Sequence, residues 1–336
     1  MRNAMTMVAI GLLVLLPWLS IFSQDIPVIR LGVRDVVPVE QDFGMLIVQV
    51  PVKCDSGGNV YFRRYQRDFD ASPIVRVSRD GKQKANFSIR SAPGFEQGST
   101  EDLAVDLGGE VYILGAKEVG KWHIVRFSRD GNYDSSFELA PGVAANHFAV
   151  FPSGEFLVAG EELSEKDRKP TGKPLLALYE PTGRFVREIS LPRDVQEVPV
   201  AGQTQDFGLT HVAPAEDGNI YLMRRIATPI IYVISPAGTV LRRLVVPPPA
   251  EDFEPTTMKV GGGKVVIQFE KKTPAGPTAQ EIFSVVDALS GEKVADYSST
   301  PEVGGAWACY TPDGFTFLGI AKTQPYQLTL VRAVPQ

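Results

Sequence analysis

The chain has 336 residues, of which 44% are hydrophobic and 22% charged, with 31 Gly, 26 Pro, two Cys and three His. That is apolar enough to bury a large core, while so few cysteines and histidines exclude a disulfide-stapled mini-domain and a Cys-rich zinc module. A formal net charge of −5 excludes a surface broadly suited to nucleic acid or to anionic membrane.

Met1 to Gln24 reads as a targeting segment. Arg2 gives a positive start, Met7 to Phe22 carries no charge, and Ser20, Ser23 and Gln24 supply a small or polar end. The apolar run is short for a membrane span and Pro17 interrupts it. Two readings follow, a cleaved signal peptide or an uncleaved N-terminal anchor. No Cys follows the run, which argues against a lipid-anchored start. Both readings place the remainder, 25–336, outside the cytoplasm as one secreted or periplasmic domain.

From Ile26 onward the chain is built of short β-rich runs between Gly, Asp and Pro turns, with no sustained helical stripe. A turn glycine followed by an apolar triplet recurs at intervals of about 45 to 64 residues. The series is Gly58 with Val60, Tyr61, Phe62; Gly109 with Val111, Tyr112, Ile113; and Gly154 with Phe156, Leu157, Val158. It continues as Gly218 with Ile220, Tyr221, Leu222; Gly263 with Val265, Val266, Ile267; and Gly314 with Thr316, Phe317, Leu318. Each unit has an apolar run before the glycine and a third run after a variable loop, as in Ile74 to Val77, Ile124 to Phe127 and Ile231 to Ile234. A second turn glycine and a fourth strand follow in five of the units. The pattern predicts an all-β, six-bladed propeller of four-stranded antiparallel blades. The sixth unit lacks a fourth strand, and Ile26 to Val33 is a strand-like run without a unit, so the N-terminal strand is expected to complete the last blade.

The run Leu103, Ala104, Val105, Asp106, Gly108, Gly109, Val111, Tyr112, followed by Ile124 to Ser128, Asp130 and Gly131, resembles an NHL-type repeat. The wider group it is similar to is the six-bladed propellers, with gluconolactonase-like, lyase and sensor-domain members. In that group the peptidylglycine-type lyases place histidines around a metal near the starts of innermost strands. Gluconolactonase-like members use Glu, Asn and Asp instead.

In an up-and-down blade the tight Asp-Gly and Ser-Gly turns share one end, and the variable loops and inter-blade links share the other. Binding is expected at the variable end. Counting seven residues back from each turn glycine gives Pro51, Asp102, His147, His211, Thr256 and Trp307 as the channel mouth. Asp102, His147 and His211 are therefore the candidate ligands for a divalent metal, zinc or calcium, with Glu101, Asn146, Asp206 and Glu254 nearby. The competing reading is ordinary polar lining of a wet channel.

Basic pairs Arg63 and Arg64, Arg224 and Arg225, and Lys271 and Lys272 follow second strands, forming either an anion-attracting collar or charged strand ends. Trp307 and Phe207 are candidates to stack a ring-bearing ligand, or to pack in the core. The ligand-contact candidates are thus Arg63, Arg64, Asn146, Arg224, Arg225 and Trp307. Cys54 and Cys309 fall on innermost strands of the first and last units with opposite facing, so a disulfide across the closure competes with two separate thiols.

Gly261 to Lys264 lacks the Ser or Thr of a phosphate loop, and Ser290 to Lys293 matches a Ser-x-x-Lys only within a tight turn. With no complete catalytic set, the sequence leans away from an enzyme. It points to a monomeric scaffold that binds a small ligand or a protein through its loop-rich face. The alternative is a metal-dependent hydrolase or lyase acting at the channel mouth.

Overall fold

The computed structural model describes residues 27–39, 48–64, 73–82, 84–106, 108–118, 120–139, 142–166, 169–192, 211–273, 276–321 and 327–336. The targeting segment, Asp206 and Phe207 lie outside them. Among the described residues no helix is long and apolar enough to cross a membrane.

The protein is all-β and propeller-like. After strand β1 (Val28–Pro38), the first sheet holds β2 (Val48–Cys54), β3 (Val60–Arg64), β4 (Ile74–Val77) and β5 (Lys84–Phe87). The second holds β6 (Ser99–Val105), β7 (Val111–Glu118), β8 (Lys121–Phe127) and β9 (Tyr133–Glu138). The third holds β10 (Val143–Val150), β11 (Phe156–Leu163), β12 (Pro170–Tyr179) and β13 (Phe185–Glu188). The fourth holds β14 (His211–Pro214), β15 (Ile220–Arg224), β16 (Ile230–Ile234) and β17 (Val240–Val245). All four are antiparallel meanders in sequence order.

The last strands are arranged differently from the expected separate fifth and sixth units. β18 (Phe253–Gly261), β19 (Lys264–Thr273), β20 (Gly276–Asp287) and β21 (Lys293–Ser298) continue through β1 into β24 (Gln327–Pro335), β23 (Gly314–Ala321) and β22 (Ala306–Thr311), one eight-stranded sheet. β1 is the splice. Its first residues pair parallel with β21 (Val28 with Asp296), and the rest pairs antiparallel with β24 (Leu31 with Pro335 through Pro38 with Thr329).

Middle strands are buried on both faces: every residue of Ile230–Ile234 is buried, as are Val60 to Arg63. Outer strands alternate or are exposed, as in Phe185–Glu188. This gradient is what sheets standing face to face require. Six apolar clusters among the described residues fill the seams between sheets. One joins Tyr61 and Phe87 to Leu103 and Ile113, and another joins Val60 and Phe62 to Cys309 and Leu330. The first strands β2, β6, β10, β14, β18 and β22 touch in that order, and β22 touches β2. They surround a central bore.

The tight hairpins repeat one device. Asp55 Oδ1 accepts from the Asn59 N–H at 3.0 Å, and Asp55 Oδ2 accepts from the Tyr61 hydroxyl at 3.0 Å. Asp106 does the same for the Glu110 N–H at 2.9 Å and the Tyr112 hydroxyl at 3.3 Å. Between them Gly58 and Gly109 adopt φ of 77° and 80°, the left-handed turn conformation that side chains disfavour. Asp217 repeats the tyrosine clamp, with the Tyr221 hydroxyl 3.0 Å from its Oδ2.

Candidate functional site: the mouth of the bore

The side chains at the mouth come from matched positions of the first strands. Asp102 pairs with Leu114, His147 with Ala159 and His211 with Met223, each partner five residues beyond its turn glycine. In the fifth unit that register belongs to Thr257, opposite Gln268, not to Thr256. The hairpin there closes tightly, pairing Gly261 with Lys264, so counting from Gly263 runs one residue long. Thr256 instead takes the bulge position, as Glu101 and Asn146 do in their strands.

These side chains reach around the circumference, each to the next strand. The Lys53 ammonium lies 3.0 Å from Asp102 Oδ1 and also donates to the Leu103 carbonyl. Asp102, 1% exposed, accepts from the Phe148 N–H at 3.1 Å, and His147 Nδ1 stands 3.6 Å from its Oδ2. His147 then stacks on His211, with ring centroids 6.2 Å apart and planes 20° apart. His211 Nδ1 is 3.5 Å from Thr257 Oγ1. Burial alone would raise the Asp102 pKa. The Lys53 ammonium and the hydrogen bond and charge of His147 outweigh it and hold the carboxyl far below the usual range.

The expected metal triad is drawn out along this chain. His211 meets His147 by its ring face and does not approach Asp102, whose carboxylate is already bound by an ammonium and backbone N–H groups. Among the described residues no group of three or more His, Cys, Asp or Glu gathers as a metal-holding set. The Glu254 carboxylate pairs with the Lys272 ammonium.

The other candidates divide. Arg225 stays at the mouth, its Nε 2.8 Å from the Pro255 carbonyl, and its charge acts on His211. Arg63 is buried in β3, while Arg64, Arg224 and Asn146 are half-buried. Lys271 pairs with Asp252 at 3.0 Å, so the basic pairs do not form one uniform collar. Trp307 is 5% exposed: a bulge between it and Cys309 turns its ring toward Phe283 and Phe315, and its Nε1–H donates to the Cys309 carbonyl at 2.9 Å. It packs the core and offers no open stacking face. Cys54 and Cys309 are joined as a disulfide, with Cα atoms 5.6 Å apart.

Two lysines escaped the sequence reading. Lys53 and Lys259 occupy the position two residues beyond Pro51 and Thr257, opposite Tyr61 and Val266, where the second, third and fourth sheets carry Ala104, Ala149 and Ala213. The period of two that places a residue on the same face was the available signal. The Lys259 ammonium crosses from β18 to donate to the Val52 carbonyl and lies 5.8 Å from the Trp307 ring centroid. Burial and the nearby charge of Lys53 lower its pKa to about 7. Burial, His147, Arg225 and Lys259 lower that of His211 to about 3.

At the opposite, tight-hairpin end lie two clefts, one of about 140 Å³ with Arg34, Arg79, Asp313 and Arg332 in its lining, and one of about 390 Å³ with Asp217, Tyr221, Arg242 and Leu289.

No protein-family model and no curated protein matches the chain. Among solved structures, it is similar to a Dyadobacter fermentans protein of unknown function, at 12% identity and TM-score 0.53 over 91% of this chain and 99% of that one. It is also similar to a luciferin-regenerating enzyme, at 9% identity and TM-score 0.49 over 89% and 95% of the two chains. A third is the Dos1 propeller, at 10% identity and TM-score 0.43 over 82% and 75%. Likeness at these identities concerns the fold alone.

Proposed function

We propose that the chain is a six-bladed propeller, closed by β1 in the last blade, that serves as an extracytoplasmic binding scaffold with no chemistry of its own. The count of six is supported by the cyclic contact of six first strands and by six apolar seams; the eight-stranded sheet is then two blades spliced by β1. The Cys54–Cys309 disulfide and the apolar Met7 to Phe22 segment support an oxidising compartment.

One observation carries the binding role. The acid and base groups at the mouth, from Lys53 through Asp102, His147 and His211 to Thr257, are spent as ties between neighbouring first strands. Such ties rigidify a platform and hold the variable loops of one end at fixed places, which is how loops gain specificity. Hydrogen exchange of the purified protein with any ligand found by thermal-shift screening tests this. Protection is expected at the loop-bearing ends of the first and second strands. Protection confined to the tight-hairpin clefts, or turnover of an ester, lactone or phosphate substrate, would overturn it.

A further inference from the structure

Among the described residues, the bore mouth gathers more positive charge than its neighbours neutralise. Lys53, Lys259 and Arg225 bring three cations to this end, and the carboxylate that meets them among the described residues, Asp102, is taken up by Lys53. Lys259 has no acidic partner among the described residues; its contacts are the Val52 carbonyl and the Trp307 ring. The cations also act on one another: Lys53 on Lys259, and both Lys259 and Arg225 on His211. Holding like charges together in a bore costs free energy that an anion between them would recover. Solvent reaches this level, since the side chains of Lys53 and His147 keep 20% and 26% exposure. All this occurs in a protein of net charge −5.

We propose that the bore mouth binds a small dianion, held between the ammonium groups of Lys53 and Lys259 with the Arg225 guanidinium and the His147 and His211 imidazoles beside it. The alanines at the matching positions, Ala104, Ala149 and Ala213, leave the centre to the two long side chains. An ammonium carries three donors, and the one Lys259 gives to Val52 leaves two for a ligand. This assignment rests on reading the loop-bearing end as the binding face and names the class of ligand taken there.

Titration calorimetry with sulfate and with succinate, each against chloride at matched ionic strength, tests the assignment. Sulfate keeps its charge across the range used, so a change of affinity with pH belongs to the protein. The wild type is expected to bind saturably at millimolar concentration or below, more weakly at pH 8.5 than at pH 6 as Lys259 loses its proton. The charged group that acts on Lys259 is Lys53, with Asp102 beyond it, and Lys259 in turn acts on His211, beside His147 and Arg225. Lys259→Met should weaken binding at least tenfold and remove the pH dependence. Lys259→Arg should keep affinity within a few-fold, and Arg79→Gln, in the cleft at the other end, should change nothing. No saturable heat above chloride, undiminished binding by Lys259→Met, or loss in Arg79→Gln instead would overturn the proposal. The hydrogen-exchange test of the scaffold uses whichever ligand the screen yields. A dianion failure with protection still at the loop-bearing end therefore removes this site and leaves the scaffold reading intact.

Discussion

The Lys53 ammonium and the Asp102 carboxylate meet at 3.0 Å between two first strands, the carboxylate fully buried and the ammonium one-fifth exposed. The pair ties the first sheet to the second, and through the Phe148 N–H it reaches the third. Neutralising one member leaves the other charged where water is scarce, so Asp102→Asn is expected to cost about 3–5 kcal/mol. Lys53→Met combined with Asp102→Asn should recover most of that loss. Urea unfolding of the two single variants and the double variant measures the coupling. A double variant as unstable as the sum of the singles would show that the charges act separately.

Reduction of the Cys54–Cys309 disulfide should lower stability by about 3–5 kcal/mol, because it releases a closed loop spanning 255 residues of sequence. Cys54→Ala with Cys309→Ala should show the same deficit and no further sensitivity to reductant. Alkylation and mass measurement of the unreduced protein should find no reactive thiol.

His211 gives stability a pH dependence of definite sign. Its folded pKa of about 3 lies below the usual 6.5, so between those values the unfolded chain takes up a proton that the folded chain refuses. Stability attributable to His211 is complete above pH 6.5 and is lost as pH falls toward 3. His211→Gln removes the proton site. The gap in melting temperature between wild type and His211→Gln should therefore narrow steadily from pH 7 to pH 4. A constant gap would mean that the imidazole is not shielded as described.

The tyrosine clamps of the hairpins should grade with their geometry. Tyr61→Phe and Tyr221→Phe each delete a 3.0 Å bond to a carboxylate and should cost about 1 kcal/mol. Tyr112→Phe deletes a longer bond of 3.3 Å to Asp106, though Glu110 also accepts from that hydroxyl, so its cost should be no larger. Chemical-denaturation midpoints of the three variants give the order.

The repeat was legible because its signals are local. A turn glycine and an apolar triplet need only their own neighbours, and that suffices to announce a stack of meanders. Asp102, His147 and His211 were found at matching places because the hairpins above them have equal length. The count reaches Thr256 in place of Thr257 because one hairpin is a residue tighter, and of the two readings of Trp307 the core one holds, at a bulge that interrupts its strand. Neither local event has a strong sequence signature. Lys53 and Lys259 are not singled out by residue type, since lysines are common at strand ends, although strand alternation puts them on the same faces as Pro51 and Thr257. The strand count leads to an N-terminal strand beside the last unit, but the parallel contact of β1 with β21, which joins two units into the eight-stranded sheet, is displayed by no window of sequence.

That partnership also sets a schedule. β1 is the earliest described strand to leave the ribosome, yet its two neighbours are among the latest described strands, so it waits unpaired until both have been made. During that interval an unsatisfied strand edge is exposed to every other nascent chain. Valines at its surface, Val28 and Val36, make it adhesive while it waits. A protein arranged this way carries an adhesive edge until its last described strands are made, the interval in which a holdase chaperone would shield it.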